Sequence, residues 1–151
     1  MSALEGLYQE LILDHSKGRE GFGLAAEEGA NATSHQRNPI CGDEITLRVR
    51  VDGDVIRDVT WEGAGCSISQ ASASMLTTLV EDATDEGGMT REDAAELIGR
   101  FREALRSRGT IPLDEETFGD ASALSGVSKF TARVKCAMLA WVALEDALAR
   151  A

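Results

Sequence analysis

Three cysteines are widely spaced along the chain, and each lies in a short stretch of residue types that could bind a metal or react as a thiol. Cys41 lies in NPICGD, Cys66 in GAGCSIS and Cys136 in RVKCA. Thiolates are ligands that zinc and iron–sulfur clusters prefer. Together with the carboxylate of Asp43, the three thiolates make a four-ligand set that suits a soft or borderline metal.

Cys41 and Asp43 lie in a turn-like stretch directly before a predicted strand. In extended backbone, residues two apart face the same side, so the thiol and the carboxylate could grip one ion. A cysteine separated from an aspartate by one residue is a weak signal by itself. Cys41 could also be an incidental loop cysteine.

Cys66 follows Gly63 and Gly65 and stands at the start of a predicted helix. Backbone N–H groups and the helix dipole favour an anion at this position, which favours a thiolate. The glycines permit a tight bend or the close approach of a ligand. The alternative is a helix-capping residue without chemistry.

Cys136 lies near the start of the last predicted helix, on its apolar stripe, where a buried small hydrophobe is the ordinary interpretation. Arg133 and Lys135 flank it, and cations beside a thiol favour the thiolate or any added negative charge. These two side chains could also be solvated surface charges. His15 closes the first helix, where a structural role is favoured. His35 precedes the first cysteine and remains a reserve ligand.

The hydrophobic pattern predicts how these residues meet. Alternating apolar residues predict a half-buried strand over 44–51. Asp52-Gly53 is a two-residue hairpin signal, and 55–61 returns as the partner strand. Because an antiparallel hairpin places the start of its first strand beside the end of its second, the residues before 44 should lie close to Cys66.

Helical spacing predicts five helical stretches, over 3–15, from Ser67 to about Asp82, from Thr90 to near Gly109, around 120–127, and over 132–149. A glycine-rich segment over 18–37 is predicted to be a flexible loop. The expected fold class is α+β, with a small antiparallel sheet of about three strands packed against several α-helices. We expect one domain over residues 1–151.

Composition limits the partners and the compartment. A chain of 151 residues can bury roughly 68–70% of its unfolded surface, so it does not need disulfides to fold. Its net charge of −11 makes a nucleic-acid partner unexpected. No secretory signal and no run near the ~18 apolar residues of a membrane span are present. We therefore expect a cytoplasmic protein with no membrane partner and with reduced thiols.

Taken together, these phrases resemble the iron–sulfur cluster assembly family that includes IscU, the N-terminal domain of NifU, and SufU. The resemblance runs from the first predicted helix to the last. It rests on three motifs in order: NPxCGD around Cys41, GCxISxASxSM around Cys66, and RxKCAxLxW around Cys136.

Two features indicate the SufU branch of this family. Lys135 stands where IscU scaffolds have a histidine that can act as a ligand, and a protonated lysine cannot bind a metal. The chain also has a helical insertion over about 87–109 that is typical of SufU. Thr131 departs from the pattern, because SufU-type chains often have a proline before the final helix.

The resemblance implies one zinc ion bound by Cys41, Asp43, Cys66 and Cys136. It implies a sulfurtransferase-like relay, in which a persulfide sulfur from a SufS-like cysteine desulfurase is accepted and passed to downstream cluster scaffold proteins. Cys41 would be the acceptor and Asp43 the ligand readiest to leave. Arg133 and Lys135 could partly offset the negative charge of the site. The candidate catalytic residues are Cys41, Asp43 and Arg133.

Two alternatives stay open. The same residues could hold iron or a nascent iron–sulfur cluster, which would make the protein a scaffold for cluster assembly and transfer. The zinc could instead be structural and support an interaction surface. In that case Cys41→Ser should unfold the domain, since structural zinc can supply on the order of 10 kcal/mol of folding free energy.

Overall fold

A computed structural model describes residues 3–39 and 42–151. Cys41, the first of the predicted ligands, lies outside the described residues. In chain order the elements are α1 (Ala3–Gly18), β1 (Ala30–Asn38), β2 (Asp43–Asp52), β3 (Val55–Ala64), α2 (Ser67–Thr84), β4 (Met89–Thr90), α3 (Arg91–Arg106), α4 (Glu115–Phe118), a 3₁₀ segment (Gly119–Lys129) and α5 (Thr131–Arg150). The predicted α+β class is confirmed.

The described strands form one antiparallel sheet in the order β1-β2-β3-β4. About three strands were expected from the sequence, and this number is corrected, because the described residues form four. The fourth, β4, has only two residues, and they pair with Val55 and Ile56 at the start of β3. Two residues cannot display an alternating pattern, which is why this strand escaped prediction.

The predicted loop over 18–37 is also corrected, because β1 takes up most of its second half. The strand has the sequence ANATSHQRN, and the side chains that alternate toward the interior include Ser34. The Ser34 hydroxyl donates a hydrogen bond of 2.7 Å to the Asp146 carboxylate on α5. A buried residue such as Ser34 is polar and is stabilised in the interior by a hydrogen bond. The hydropathy of the sequence therefore gave no strand signal here.

Residues 19–29, the rest of that predicted loop, are irregular but hydrogen-bonded to the sheet. The Trp61 indole donates to the Glu20 carbonyl at 2.8 Å. Arg48 donates to the Ala25 carbonyl at 2.6 Å. These bonds tie the segment to β2 and β3.

The core lies between the sheet and the helices α2 and α5. The helix α5 packs on β1 and β2 and against α2, and α1 packs on α2. Trp141 of α5 is fully buried and stacks on Phe101 of α3, with ring centroids 3.8 Å apart. Its indole donates to the Ser72 hydroxyl of α2 at 2.9 Å. None of the helices within residues 3–39 and 42–151 has both the length and the apolar character needed to cross a bilayer.

Local signals account for two of the helix ends. Thr90 begins α3 with a capping box, in which it exchanges side-chain and backbone hydrogen bonds with Asp93. His15 lies in the last turn of α1, and its side chain is largely buried. One ring nitrogen lies 2.7 Å from the Ser74 hydroxyl and the other 2.9 Å from the Asp120 carboxylate. His15 thus joins α1 to α2 and to the 3₁₀ segment, in agreement with the structural role that we predicted.

Candidate metal centre

The hairpin of β2 and β3 brings two of the predicted ligands to one end of the sheet. In the strand register, Glu44 pairs with Ala64, and Asp43 is the residue before that pair. The chain leaves β3 at Ala64 and reaches Cys66 two residues later. The predicted approach of Asp43 to Cys66 is therefore confirmed.

Asp43 is 1% exposed and contacts Cys66 in two ways. One carboxylate oxygen accepts a 2.8 Å hydrogen bond from the Cys66 backbone N–H. The other lies 3.6 Å from the Cys66 sulfur. Cys66 is the residue before the first turn of α2, and its side chain makes no capping hydrogen bond. The carboxylate of Asp43 thus satisfies a backbone donor at the helix start.

Gly65 leaves the space that the carboxylate occupies. A Cβ atom at this position would lie 2.3 Å from the Asp43 Oδ1 atom and 2.9 Å from the Ser69 hydroxyl. Its φ angle of +153° is also one that other residues rarely adopt. The prediction that the glycine permits a close approach at this site is consistent with this geometry.

Cys136 lies one turn into α5 and is 4% exposed. Its sulfur, the Cys66 sulfur and a carboxylate oxygen of Asp43 all lie within 4.8 Å of one another. The apolar stripe that made burial the ordinary interpretation therefore places the thiol against the hairpin end. The same helix face thus buries the thiol and places it where it could bind a metal.

The donor set and its spacing fit zinc. Two ligands about 2.3 Å from a tetrahedral ion lie about 3.8 Å apart. The Asp43–Cys66 separation of 3.6 Å is close to that value, and the outer limit of 4.8 Å for the group requires only a small contraction. As thiolates, Cys66 and Cys136 would supply two positions of a tetrahedral site, and the carboxylate of Asp43 would supply a third.

Arg133 and Lys135 are exposed and leave α5 on different sides. Arg133 lines a groove beside Ile68 and Phe130. Lys135 lines a separate groove beside Pro39. Among the described residues, neither side chain makes a hydrogen bond or an ion pair with a candidate ligand. The role of Arg133 at the site stays a prediction.

The reserve ligand His35 is an exposed residue of β1, and its ring contacts the Glu44 carboxylate. It does not belong to the group of described side chains whose ligand atoms meet. Ser69 does approach the site and was not singled out from the sequence. Its hydroxyl donates to the Cys66 carbonyl at 3.0 Å and lies 3.9 Å from the Cys66 sulfur. The sequence signal that could have identified Ser69 is a serine three residues after a cysteine that caps a helix.

A small antiparallel sheet packed against helices, with two cysteines and an aspartate meeting at the end of its central hairpin, agrees with the family that the three cysteine motifs resemble. The chain belongs to the NifU-like N-terminal domain family, whose model matches residues 7–137.

Two curated relatives match almost the whole chain. The zinc-dependent sulfurtransferase SufU of Bacillus subtilis (strain 168) is 39% identical over 147 residues, which cover 97% of this chain and 92% of the relative. The iron–sulfur cluster assembly scaffold protein IscU of Streptococcus pyogenes serotype M1 is 39% identical over 150 residues, which cover 99% and 87%.

A solved structure supports the same assignment. The crystal structure of a candidate iron–sulfur cluster assembly scaffold protein for the SUF system from Fervidobacterium islandicum AW-1 has a TM-score of 0.73 and 34% identity. The match covers 95% of this chain and 98% of that one. The predicted membership of the IscU, NifU and SufU family is confirmed.

Proposed function

We propose that the protein is a zinc-dependent acceptor and carrier of persulfide sulfur in iron–sulfur cluster assembly. It receives sulfur from a cysteine desulfurase, passes it to cluster scaffold proteins, and works in the cytoplasm, where thiols stay reduced. The meeting of Asp43, Cys66 and Cys136 within 4.8 Å carries the proposal. The similarity to a relative named as a zinc-dependent sulfurtransferase supports it.

Four side chains would hold the zinc, namely Cys41, Asp43, Cys66 and Cys136. Zinc supplies a redox-inert dication that keeps thiolates deprotonated. Asp43 is the hardest ligand in this set, so it is the one that a competing ligand displaces most readily. Its hydrogen bond to the Cys66 backbone gives the carboxylate a second partner, which limits the cost of that displacement.

Sulfur transfer needs no oxidant or reductant. The Cys41 thiolate attacks the terminal sulfur of the persulfide on the desulfurase and forms a new S–S bond. The S–S bond of the donor breaks, and its cysteine leaves as a thiolate with the electron pair. Cys41 then carries the persulfide. Arg133, which is exposed near the start of α5, offsets the negative charge of the loaded site.

The test is cysteine turnover by the desulfurase of the same organism, with and without the zinc-loaded protein. Strong stimulation that is lost with Cys41→Ala and with Asp43→Ala is the expected result. Asp52→Ala is the matched control, because Asp52 is an exposed aspartate at the opposite end of β2. No stimulation by the wild-type protein, or equal loss in the control, would refute the proposal.

A scaffold function is the second candidate, because a relative of equal identity is named as an IscU scaffold. In this case the donor set would hold iron or a growing [2Fe–2S] or [4Fe–4S] cluster. Anaerobic reconstitution that gives cluster absorbance in the visible range, followed by transfer to an apo-protein, would favour this function. A structural zinc module is distinguished by Cys41→Ser, which should unfold it and should leave a sulfur carrier folded.

A further inference from the structure

A groove of about 570 Å³ lies beside the candidate metal centre and is separate from it. Its walls come from α3, from α5 and from the end of β1. Its lining includes the apolar side chains of Leu105, Met138, Leu139 and Val142. Lys135 is among its lining residues and immediately precedes the candidate ligand Cys136 in the chain.

Five cations line this groove in a protein whose net charge is −11, and no described lining residue is acidic. Arg102 is neutralised by two hydrogen bonds to Glu145, of 2.8 and 3.1 Å. The other four are the exposed side chains of Arg37, Arg106, Arg108 and Lys135. Within residues 3–39 and 42–151, these four side chains make no ion pair with a carboxylate.

The backbone of Arg108 gives an independent observation. Arg108 follows the C-cap of α3 with a φ angle of +56°, a left-handed conformation in which glycine is the favoured residue. Arg19 is the other non-glycine residue with positive φ in the described chain, and its guanidinium lies 4.2 Å from the centre of the Phe22 ring. Among the described residues, the guanidinium of Arg108 makes no cation–π contact, hydrogen bond or ion pair. Backbone strain of this kind concentrates at functional positions.

We propose that this groove binds an acidic segment of the protein partner that delivers sulfur. The apolar lining residues contact the segment, and its carboxylates pair with the rim of the groove, which consists of the exposed Arg37, Arg106, Arg108 and Lys135. The inference rests on the proposed function and adds the recognition surface to it. Two residues of the groove adjoin the candidate ligands, since Lys135 precedes Cys136 in the chain and Asn38 pairs with Asp43 in the strand register. A partner segment bound in the groove therefore lies beside the site that receives the sulfur. Charge complementarity selects an acidic segment, because unpaired rim cations attract carboxylates and repel basic chains.

The experiment compares Arg106→Gln and Arg108→Gly, combined in one variant, with the control Arg57→Gln. Arg57 is an exposed arginine at the hairpin end of β3, remote from the groove. Binding to the fluorescently labelled desulfurase is measured by titration, and stimulation of turnover is measured in parallel. Loss of two rim contacts should raise both the dissociation constant and the half-saturating concentration roughly tenfold. The maximal turnover and the zinc content should stay unchanged.

Two further measurements sharpen the result. Raising NaCl from about 50 to about 300 mM should weaken the wild-type complex more than that of the double variant, because salt screens exposed charges. Arg108→Gly alone should raise the unfolding temperature by about 2–4 °C while it weakens binding, because glycine relieves the left-handed strain. A gain in stability with a loss of binding cannot come from misfolding.

The failure of this inference differs from the failure of the proposed function. If the wild-type protein binds the desulfurase without stimulating it, the proposed function fails, and the titration still tests the groove. If the double variant binds as tightly as Arg57→Gln, or if the wild-type protein does not bind at all, the groove assignment is overturned. A dimer of the protein alone that the double variant abolishes would assign the groove to a second copy and overturn it as well.

Discussion

Asp43 has two separable tasks in this structure, and two substitutions distinguish them. One carboxylate oxygen accepts the Cys66 backbone N–H at 2.8 Å, and the other faces the Cys66 sulfur at 3.6 Å. Asp43→Asn keeps an oxygen that can accept the backbone hydrogen bond but removes the negative charge with which Asp43 would bind a metal. Asp43→Ala removes both.

The magnitudes follow from burial. Asp43 is 1% exposed, so Asp43→Ala leaves a backbone donor at the start of α2 without its acceptor in a site closed to water. An unmade hydrogen bond of this kind costs about 1–3 kcal/mol. We therefore expect the metal-free Asp43→Ala protein to lose about 2 kcal/mol of unfolding free energy. Metal-free Asp43→Asn should stay within about 1 kcal/mol of the wild type. Both variants should bind zinc at least ~100-fold more weakly.

Urea unfolding of the metal-free proteins measures the first task, and competition with a chromogenic zinc chelator measures the second. If Asp43→Ala unfolds at the same urea concentration as Asp43→Asn, the backbone hydrogen bond does not stabilise the helix start. If Asp43→Asn retains wild-type zinc affinity, the carboxylate is not a ligand and the assignment of the site is wrong. The two results are independent because the two oxygens have different partners.

Three further predictions concern the frame of the site and its pH dependence. Gly65→Ala should cost about 2–3 kcal/mol in urea unfolding and weaken zinc binding, since the added methyl group overlaps the Asp43 carboxylate; unchanged values would refute the close approach. His15→Ala should lower the unfolding free energy by about 2 kcal/mol through the loss of two hydrogen bonds, and a change below ~0.5 kcal/mol would contradict this. Hydrogen bonds from Thr117 lower the native pKa of Asp114 below its ordinary 3.8. Its stabilising contribution should therefore be complete above about pH 5 and be lost as the pH falls below 4. Asp114→Asn should lack this acid-dependent part, and parallel pH profiles of the two proteins would contradict that.

The sequence predicted the parts of the fold whose burial follows hydropathy. The β2–β3 hairpin has both alternating apolar residues and a two-residue turn, so its register and the approach of Asp43 to Cys66 were predictable. The strand β1 was not, because its interior residues include Ser34, which is buried through a hydrogen bond to α5. Asp146, the hydrogen-bond partner of Ser34, is more than a hundred residues away in the sequence, so this bond leaves no local sequence pattern.

At the site, the sequence showed which residues could be metal ligands, but it did not show the other hydrogen bonds that these residues make. Cys66 and Asp43 stand in recognisable phrases, but nothing local shows that the carboxylate also accepts the Cys66 backbone N–H. The separation of Arg133 from Lys135 was equally hidden. Two residues apart on a helix they point in different directions, and only the packing of α5 shows that they line different grooves.

The helix α3 contributes side chains to both the core and the groove. A test of its role must therefore separate these two contributions. Its Phe101 covers the ring of Trp141 in the core, with the planes 5° apart, whereas Arg102 and Arg106 line the groove. Deleting the insertion would therefore remove a fully buried aromatic partner, and truncating such a residue alone costs about 3–5 kcal/mol. Because Trp141 lies on the same helix as Cys136, that deletion would also disturb a candidate metal ligand. Loss of sulfur transfer in a deletion would then report damage to α5, whereas substitutions at the exposed arginines leave the packing of Phe101 on Trp141 in place and report on the groove itself.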